Sequence, residues 1–248
     1  MSTADYRIIL DVPSEKPALA FDQQAKAFKD ILEDSDPRFA IGLFGTWGSG
    51  KTTLMQAIER ELNKDVAIPV WFSAWRYEKE EHLTVPLLDE VRAALASWAT
   101  LNPDKGEIAR KTAATIGKVA RSLLTGFTAN VGVPGVAGLS FSASQALAEA
   151  EKLDKETLNA YLPQSLYHAS FQALHDAFDE FAKDDPKRRI VVFVDDLDRC
   201  LPEGALQVLE SMKLFFDLSG FIFVAGLDQR VVEWLIDTRY GGSVARDL

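Results

Sequence analysis

The chain has 248 residues, of which 47% are hydrophobic and 26% charged, and its net charge is −10. This composition is sufficient for one large core, and the acidic balance argues against a general nucleic-acid binder, because phosphate neutralisation needs clustered lysine and arginine. The single cysteine, Cys200, excludes an internal disulfide and favours a reducing compartment, and residues 1–7 lack a signal-peptide pattern, so we expect a cytoplasmic protein.

The first predicted elements lead into a glycine-rich loop. Apolar periodicity over residues 18–33 predicts a helix, an acidic loop at 33–37 ends it, and an apolar run at 39–44 indicates a strand. A helix predicted over residues 51–63 comes next. Between strand and helix lies the pattern G-x-x-x-x-G-K-[ST], made of Gly45, Thr46, Trp47, Gly48, Ser49, Gly50, Lys51 and Thr52 and continued by Thr53.

This pattern, with a strand before it and a helix after it, is typical of a loop that binds the polyphosphate of a nucleotide. Glycines let the backbone N–H groups point inward, and the N-terminus of the following helix adds partial positive charge. We expect Lys51 to reach the β- and γ-phosphates and the Thr52 hydroxyl to be a ligand of Mg²⁺.

The middle of the chain contains a second predicted strand and a long insertion. Residues 68–75 indicate a strand, residues 84–100 a helix, and residues 165–183 another helix, so residues 101–160 form an insertion. The insertion has a basic amphipathic helix with Ile108, Thr112, Ile116, Val119 and Leu123 on one face, followed by an uncharged stretch from 122 to 148. We favour a mobile, soluble or partner-covered insertion over peripheral membrane contact through residues 105–148, with a membrane crossing ranked last.

The clearest partner for the phosphate loop is an acidic string after a buried strand. Residues 190–194 are all apolar and mostly β-branched, which indicates a strand buried on both faces. Asp195 and Asp196 follow it, at the edge of a parallel sheet where ligands bind. We assign Asp195 to hold Mg²⁺ and Asp196 to orient the attacking water, which makes this a Walker B motif. Arg199 is a candidate arginine finger for a neighbouring protomer, with an ion pair to Asp196 or Asp198 as the alternative.

The last part of the chain predicts one more helix–strand–helix unit: a helix over 203–218, a strand over 221–225 and a short helix over 231–236. Strands separated by helices predict an α/β fold with a mostly parallel sheet in three layers. Four strands leave the one before the phosphate loop close to an edge, so we expect residues 1–248 to lack a part that completes the sheet.

Over about residues 18–240 the chain resembles the KAP family of P-loop NTPases. Four strings carry the resemblance: the loop around Trp47, Phe72-Ser73-Ala74-Trp75-Arg76-Tyr77, Asp195-Asp196-Leu197-Asp198-Arg199 and Val224-Ala225-Gly226-Leu227-Asp228. The resemblance implies a single domain over 1–248 with the 101–160 insertion between Walker A and Walker B, a sheet that continues beyond Leu248 with a further strand and helical region, and a sensor strand between the two Walker strands. Asp228 or Gln229 would then contact the γ-phosphate or the water. Capping of the next helix is the alternative.

The residues and the resemblance together favour an ATP-binding, Mg²⁺-dependent ATPase that acts as a motor or switch for a protein partner or through self-association. ATP is favoured over GTP mainly by the resemblance, which also implies a link to bacterial phage (antiviral) defence. The alternative is a nucleotide-dependent scaffold with negligible hydrolysis, peripheral at the inner membrane face through residues 105–148. Direct nucleic-acid binding is not expected.

Overall fold

The computed structural model describes residues 21–80, 83–130 and 166–240. Within these ranges, two short 3₁₀ helices span Ala74–Tyr77 and Leu197–Arg199. The longer elements are α1 (Phe21–Asp34), β1 (Phe39–Phe44), α2 (Lys51–Glu61), β2 (Ala67–Ser73), α3 (Thr84–Leu101), α4 (Glu107–Asn130), α5 (Leu166–Asp184), β3 (Arg189–Asp195), α6 (Pro202–Phe216), β4 (Phe221–Leu227) and α7 (Gln229–Tyr240).

The four strands form an all-parallel sheet in the order β1-β4-β3-β2. In register, Gly42 lies beside Ala225 on β4, and Ser73 at the end of β2 lies beside Asp195 at the end of β3. Every residue of β3 is buried, which confirms the prediction of a strand covered on both faces. The order also places β4 between the strand before the phosphate loop and the strand before the acidic string, as the family resemblance implied.

Alternate residues of the sheet face two separate cores, which gives the predicted three-layer α/β fold. Helices α3, α4, α5 and α6 cover one face, and α1 and α2 cover the other. The larger core holds a group of phenylalanines in edge and stacked contacts, of which Phe178 and Phe221 have ring centroids 4.8 Å apart. Because each fully buried Phe contributes about 1.5–3 kcal/mol, these rings hold the helical layer to β4.

Helix α4 corrects the expectation of a mobile insertion for the residues where it packs. The face predicted from the sequence is used in the core: Thr112, Ile116, Val119 and Leu123 are buried, and Ile108 is partly buried. It packs against α3 and α5. That apolar face is therefore not available to a membrane, and no helix among the described residues is long and apolar enough to cross one. Residues 131–148 of the proposed membrane segment lie outside the described ranges.

The strands and helices lie where the periodicity predicts them, with one difference of consequence. The second strand ends at Ser73, because β3 ends at its register partner Asp195 and offers no further pairing. The chain then turns into the 3₁₀ helix Ala74–Tyr77, and the Tyr77 ring stacks on Phe72 with centroids 5.1 Å apart. Aromatic residues that favour strands by propensity thus lie in a turn.

Strand β1 forms one edge of the sheet. Within the described residues it pairs only with β4, and its Phe44 side chain is 62% exposed. An additional strand beside β1 stays a prediction.

Candidate nucleotide-binding site

The phosphate loop leaves β1 at the carboxyl edge of the sheet and enters α2 through two glycines in the left-handed region. Gly48 has φ 75° and Gly50 has φ 90°, a conformation that costs other L-residues about 1–2 kcal/mol. The start of the loop is tied to β4, because Gly45 N–H donates to the Leu227 carbonyl at 3.0 Å. Thr46, Trp47 and Ser49 are exposed along the loop, and the Trp47 side chain is 68% exposed.

The first turn of α2 is suited to an anion. Gly50 occupies the N-cap position, and among the described residues no side chain caps the helix and no acidic residue lies in its first turn. The N–H groups of this turn, which include those of Thr52 and Thr53, therefore keep hydrogen-bonding capacity toward the loop, where the helix dipole also favours negative charge.

Lys51 lies in a cage of oxygens. Its Nζ donates to the carbonyls of Gly45 at 3.0 Å and Thr46 at 3.2 Å, and it pairs with Asp198 Oδ2 at 3.0 Å. The side chains of Lys51 and Asp198 are only 10% and 9% exposed, so this is a nearly buried ion pair. Asp198 therefore pairs with the Lys51 ammonium, the group to which the sequence assigns phosphate binding.

Asp195 and Thr52 meet across the end of β4. Asp195 is buried at the end of β3, where its carboxylate accepts hydrogen bonds from the Thr52 hydroxyl and from Asp196 N–H, the latter at 2.9 Å. Burial raises the pKa of Asp195, while these two hydrogen bonds oppose the rise. Gly226, on β4, lies beside this contact. A Cβ at Gly226 would lie 3.6 Å from both Asp195 Oδ1 and Lys51 Cβ.

Asp196 adopts a left-handed backbone conformation, with φ 58°, and turns the chain out of the sheet. Its Oδ2 accepts a hydrogen bond from Ser73 Oγ at 3.0 Å, and its Oδ1 pairs with Arg199 Nε at 2.8 Å. Arg199 thus forms the ion pair that the sequence left open as the alternative to an arginine finger.

The predicted sensor residues cap and line α7. Asp228 Oδ1 accepts a hydrogen bond from Arg230 N–H at 3.0 Å, and its carboxylate pairs with the Arg230 guanidinium, which holds the pKa of Asp228 below its usual value. Gln229 is exposed and donates to Glu233 at 2.8 Å, one turn further along α7. Asp228 therefore has the capping role that the sequence left as the alternative, and a sensor role stays a prediction for both residues.

The oxygens in this site fit Mg²⁺ bound together with phosphate. Hydroxyl and carboxylate oxygens, as on Thr52 and Asp195, are the ligands that Mg²⁺ prefers, usually completed by water and substrate phosphates. No group of three or more His, Cys, Asp or Glu side chains in the described part of the chain forms a metal site of its own. A magnesium ion here would therefore rely on phosphate and water oxygens beside Thr52 and Asp195.

Sequence reasoning missed three residues of this site, namely Ser73, Asp198 and Gly226. From the sequence, Asp198 is a possible partner of Arg199, and Ser73 and Gly226 are only parts of family strings. The acidic string contains a third carboxylate two positions beyond Asp196, and that spacing was the available signal for Asp198.

In the parallel sheet, β4 lies between β1 and β3, and the glycine loop after β1 and the acidic string after β3 meet at the carboxyl edge. This arrangement defines a P-loop nucleotide-binding domain. The family comparison agrees: residues 21–245 match the KAP family P-loop domain, and the chain belongs to that family. The chain is also similar to the "Uncharacterized protein MJ0182" of Methanocaldococcus jannaschii, with 29% identity over 177 residues that cover 64% of this chain and 90% of that protein.

Proposed function

We propose that this chain binds ATP with Mg²⁺ and hydrolyses it, and that a protein partner responds to the change. The observation that carries the proposal is the meeting of Thr52 and Asp195 beside Lys51 at one edge of the sheet. Two segments more than a hundred residues apart thereby bring together a cation for phosphate and two oxygens suited to Mg²⁺.

In the proposed reaction, the backbone N–H groups of the loop and Lys51 Nζ hold the β- and γ-phosphates, while Thr52 and Asp195 orient the metal. Bound Mg²⁺ neutralises charge on the phosphate oxygens. A water oxygen bonds to the γ-phosphorus as the bond from that phosphorus to the β–γ bridging oxygen breaks, which gives ADP and inorganic phosphate. Asp196 orients this water and accepts its proton.

A second candidate function, a nucleotide-dependent scaffold with negligible hydrolysis of its own, is favoured by a specific observation. Lys51 is paired with Asp198, and both carboxylate oxygens of Asp196 contact protein donors. Contacts of this kind compete with the contacts that hydrolysis needs. The two functions differ in single-turnover hydrolysis by this chain, alone and with a partner.

The test of the proposed function compares two variants. We expect Lys51→Ala to abolish binding of a fluorescent ATP analogue, because it removes the cation at the phosphates. Asp196→Asn should bind the analogue normally but hydrolyse ATP about 100-fold more slowly or worse, the usual contribution of a positioned base. Lys64→Ala, which removes an exposed lysine paired with Glu59, is the control and should do neither. Normal turnover by Asp196→Asn would remove the role assigned to Asp196.

A further inference from the structure

The Asp196 carboxylate is held at both ends by side chains of its own chain. Ser73 Oγ donates to Oδ2 at 3.0 Å, and Arg199 Nε lies 2.8 Å from Oδ1. The Asp196 backbone is also fixed, because its N–H donates to Asp195 Oδ1 at 2.9 Å. A carboxylate that is to accept a proton from water is thus already oriented by two protein donors.

The hydrogen bond from Ser73 has a direction relative to the sheet. Ser73 is the last residue of β2, which lies beyond β3 on the side opposite β4 and β1. The phosphate loop follows β1, at the other end of the strand order. The hydroxyl therefore draws the Asp196 carboxylate toward β2 and away from the side where Lys51 and the phosphates lie.

The position of Ser73 is itself well supported. Phe72, next to it, is buried and stacks with Tyr77 across the 3₁₀ helix that follows β2. Just beyond that helix, a carboxylate oxygen of Glu78 accepts a hydrogen bond from Leu201 N–H, which joins the segment after β2 to the segment after the acidic string a second time. Ser73 is therefore a rigid donor, whereas Arg199 is a long side chain that is 48% exposed.

We propose that Ser73 is a positioning residue that acts through Asp196. Its hydroxyl holds the Asp196 carboxylate on the β2 side and thereby lowers the rate at which this chain turns over ATP. The inference rests on the proposed role of Asp196 as the group that accepts the water proton. Without the Ser73 hydroxyl, Arg199 is the one side chain in the described part of the chain that still restrains the carboxylate, which then turns toward the phosphates more often. Phosphate and metal contacts through Lys51 and Thr52 stay as they are, so the effect falls on kcat and not on KM.

The experiment measures kcat and KM for MgATP in the whole chain and its variants. We expect Ser73→Ala to raise kcat about tenfold to a hundredfold with KM unchanged, the effect of losing one hydrogen bond to a charged group. Ser73→Thr keeps the hydroxyl and should return kcat to the wild-type value, and Ser73→Cys, a weaker donor, should lie between the two. The matched control is Ser219→Ala, which removes a serine–aspartate hydrogen bond to Asp179 near the start of β4 and should leave both constants unchanged.

Dependence on Asp196 separates this inference from a general change in the site. The double variant Ser73→Ala/Asp196→Asn should turn over as slowly as Asp196→Asn alone. A kcat for Ser73→Ala that equals or falls below the wild-type value in a folded protein overturns the inference, including the case in which neither protein turns over. Normal turnover by Asp196→Asn alone instead refutes the proposed role of Asp196, so the two failures are distinct.

Discussion

Asp198→Asn should strengthen nucleotide binding, because Asp198 competes with phosphate for Lys51. At 3.0 Å and an effective dielectric constant of 20, the attraction between the two charges is about 5.5 kcal/mol, most of which the cost of desolvating them offsets. A net coupling of about 1.5 kcal/mol is at the low end for close ion pairs. Phosphate must replace Asp198 at Lys51 Nζ, so nucleotide binding to the wild-type chain is weakened by the loss of this coupling. Asp198→Asn has no such coupling to lose, and its Kd should therefore be about tenfold lower than that of the wild type.

The assay is a fluorescence titration with a labelled ADP without Mg²⁺, which leaves hydrolysis and metal binding out of the comparison. Asp89→Asn changes the net charge by the same amount at an exposed pair with Arg92 on α3, and its Kd should equal the wild-type value. Urea unfolding provides a second readout. Asp198→Asn removes the negative charge that pairs with Lys51 in a nearly buried site, so the free energy of unfolding should fall and added ADP should recover part of it.

A Kd for Asp198→Asn that is unchanged, or weaker than wild type, would refute this reasoning. It would mean that Asp198 does not oppose phosphate at Lys51, and weaker binding would place Asp198 among the groups that hold the nucleotide.

Three further predictions concern single residues. Burial, followed by the nearby carboxylates, raises the pKa of Cys200 to about 11, so a thiol reagent should label the native chain slowly at pH 7–8 and faster as the pH rises. Fast labelling of the folded protein at pH 7 would contradict this. Phe178→Ala should lower the free energy of unfolding in urea by about 3–5 kcal/mol and Phe178→Leu by about 1.5 or less, because leucine refills most of the buried volume. Equal losses would contradict this, because they would assign the stability to the ring contacts that both variants lose. Gly50→Ala should cost about 1–2 kcal/mol of stability and weaken ADP binding, because the φ of Gly50 is 90°. The control Gly117→Ala, within helix α4, should be neutral or stabilising by up to about 1 kcal/mol, and equal effects of the two variants would refute the argument from φ.

The elements could be predicted from the sequence because their signals are local. Buried strands such as 190–194 are runs of β-branched residues, and the glycine loop carries its own conformational requirement at Gly48 and Gly50. The end of β2 could not be predicted, because it depends on where β3 stops and not on the strand propensity of Trp75 and Tyr77.

The contacts that occupy the site could not be predicted, because they join residues far apart in the chain. Ser73 and Asp196 are separated by 123 positions, and Lys51 and Asp198 by 147. No local pattern states which serine or which third carboxylate faces which partner, since that follows from strand order and register. The sequence could supply the loop and the acidic string, but the pairing of their side chains needed the sheet.

The left-handed turn at Asp196 explains why the three carboxylates of one short string contact three different segments. A strand that continued straight would point alternate residues to opposite faces, so Asp196 and Asp198 would lie on the same face. With φ 58° at Asp196 the chain leaves the sheet and enters the 3₁₀ helix Leu197–Arg199, and each carboxylate then meets a different segment. Asp195 contacts Thr52, Asp196 contacts Ser73 on β2, and Asp198 contacts Lys51. The three acids are therefore not equivalent copies, and we expect their substitutions to affect three different quantities: metal dependence, kcat and nucleotide affinity.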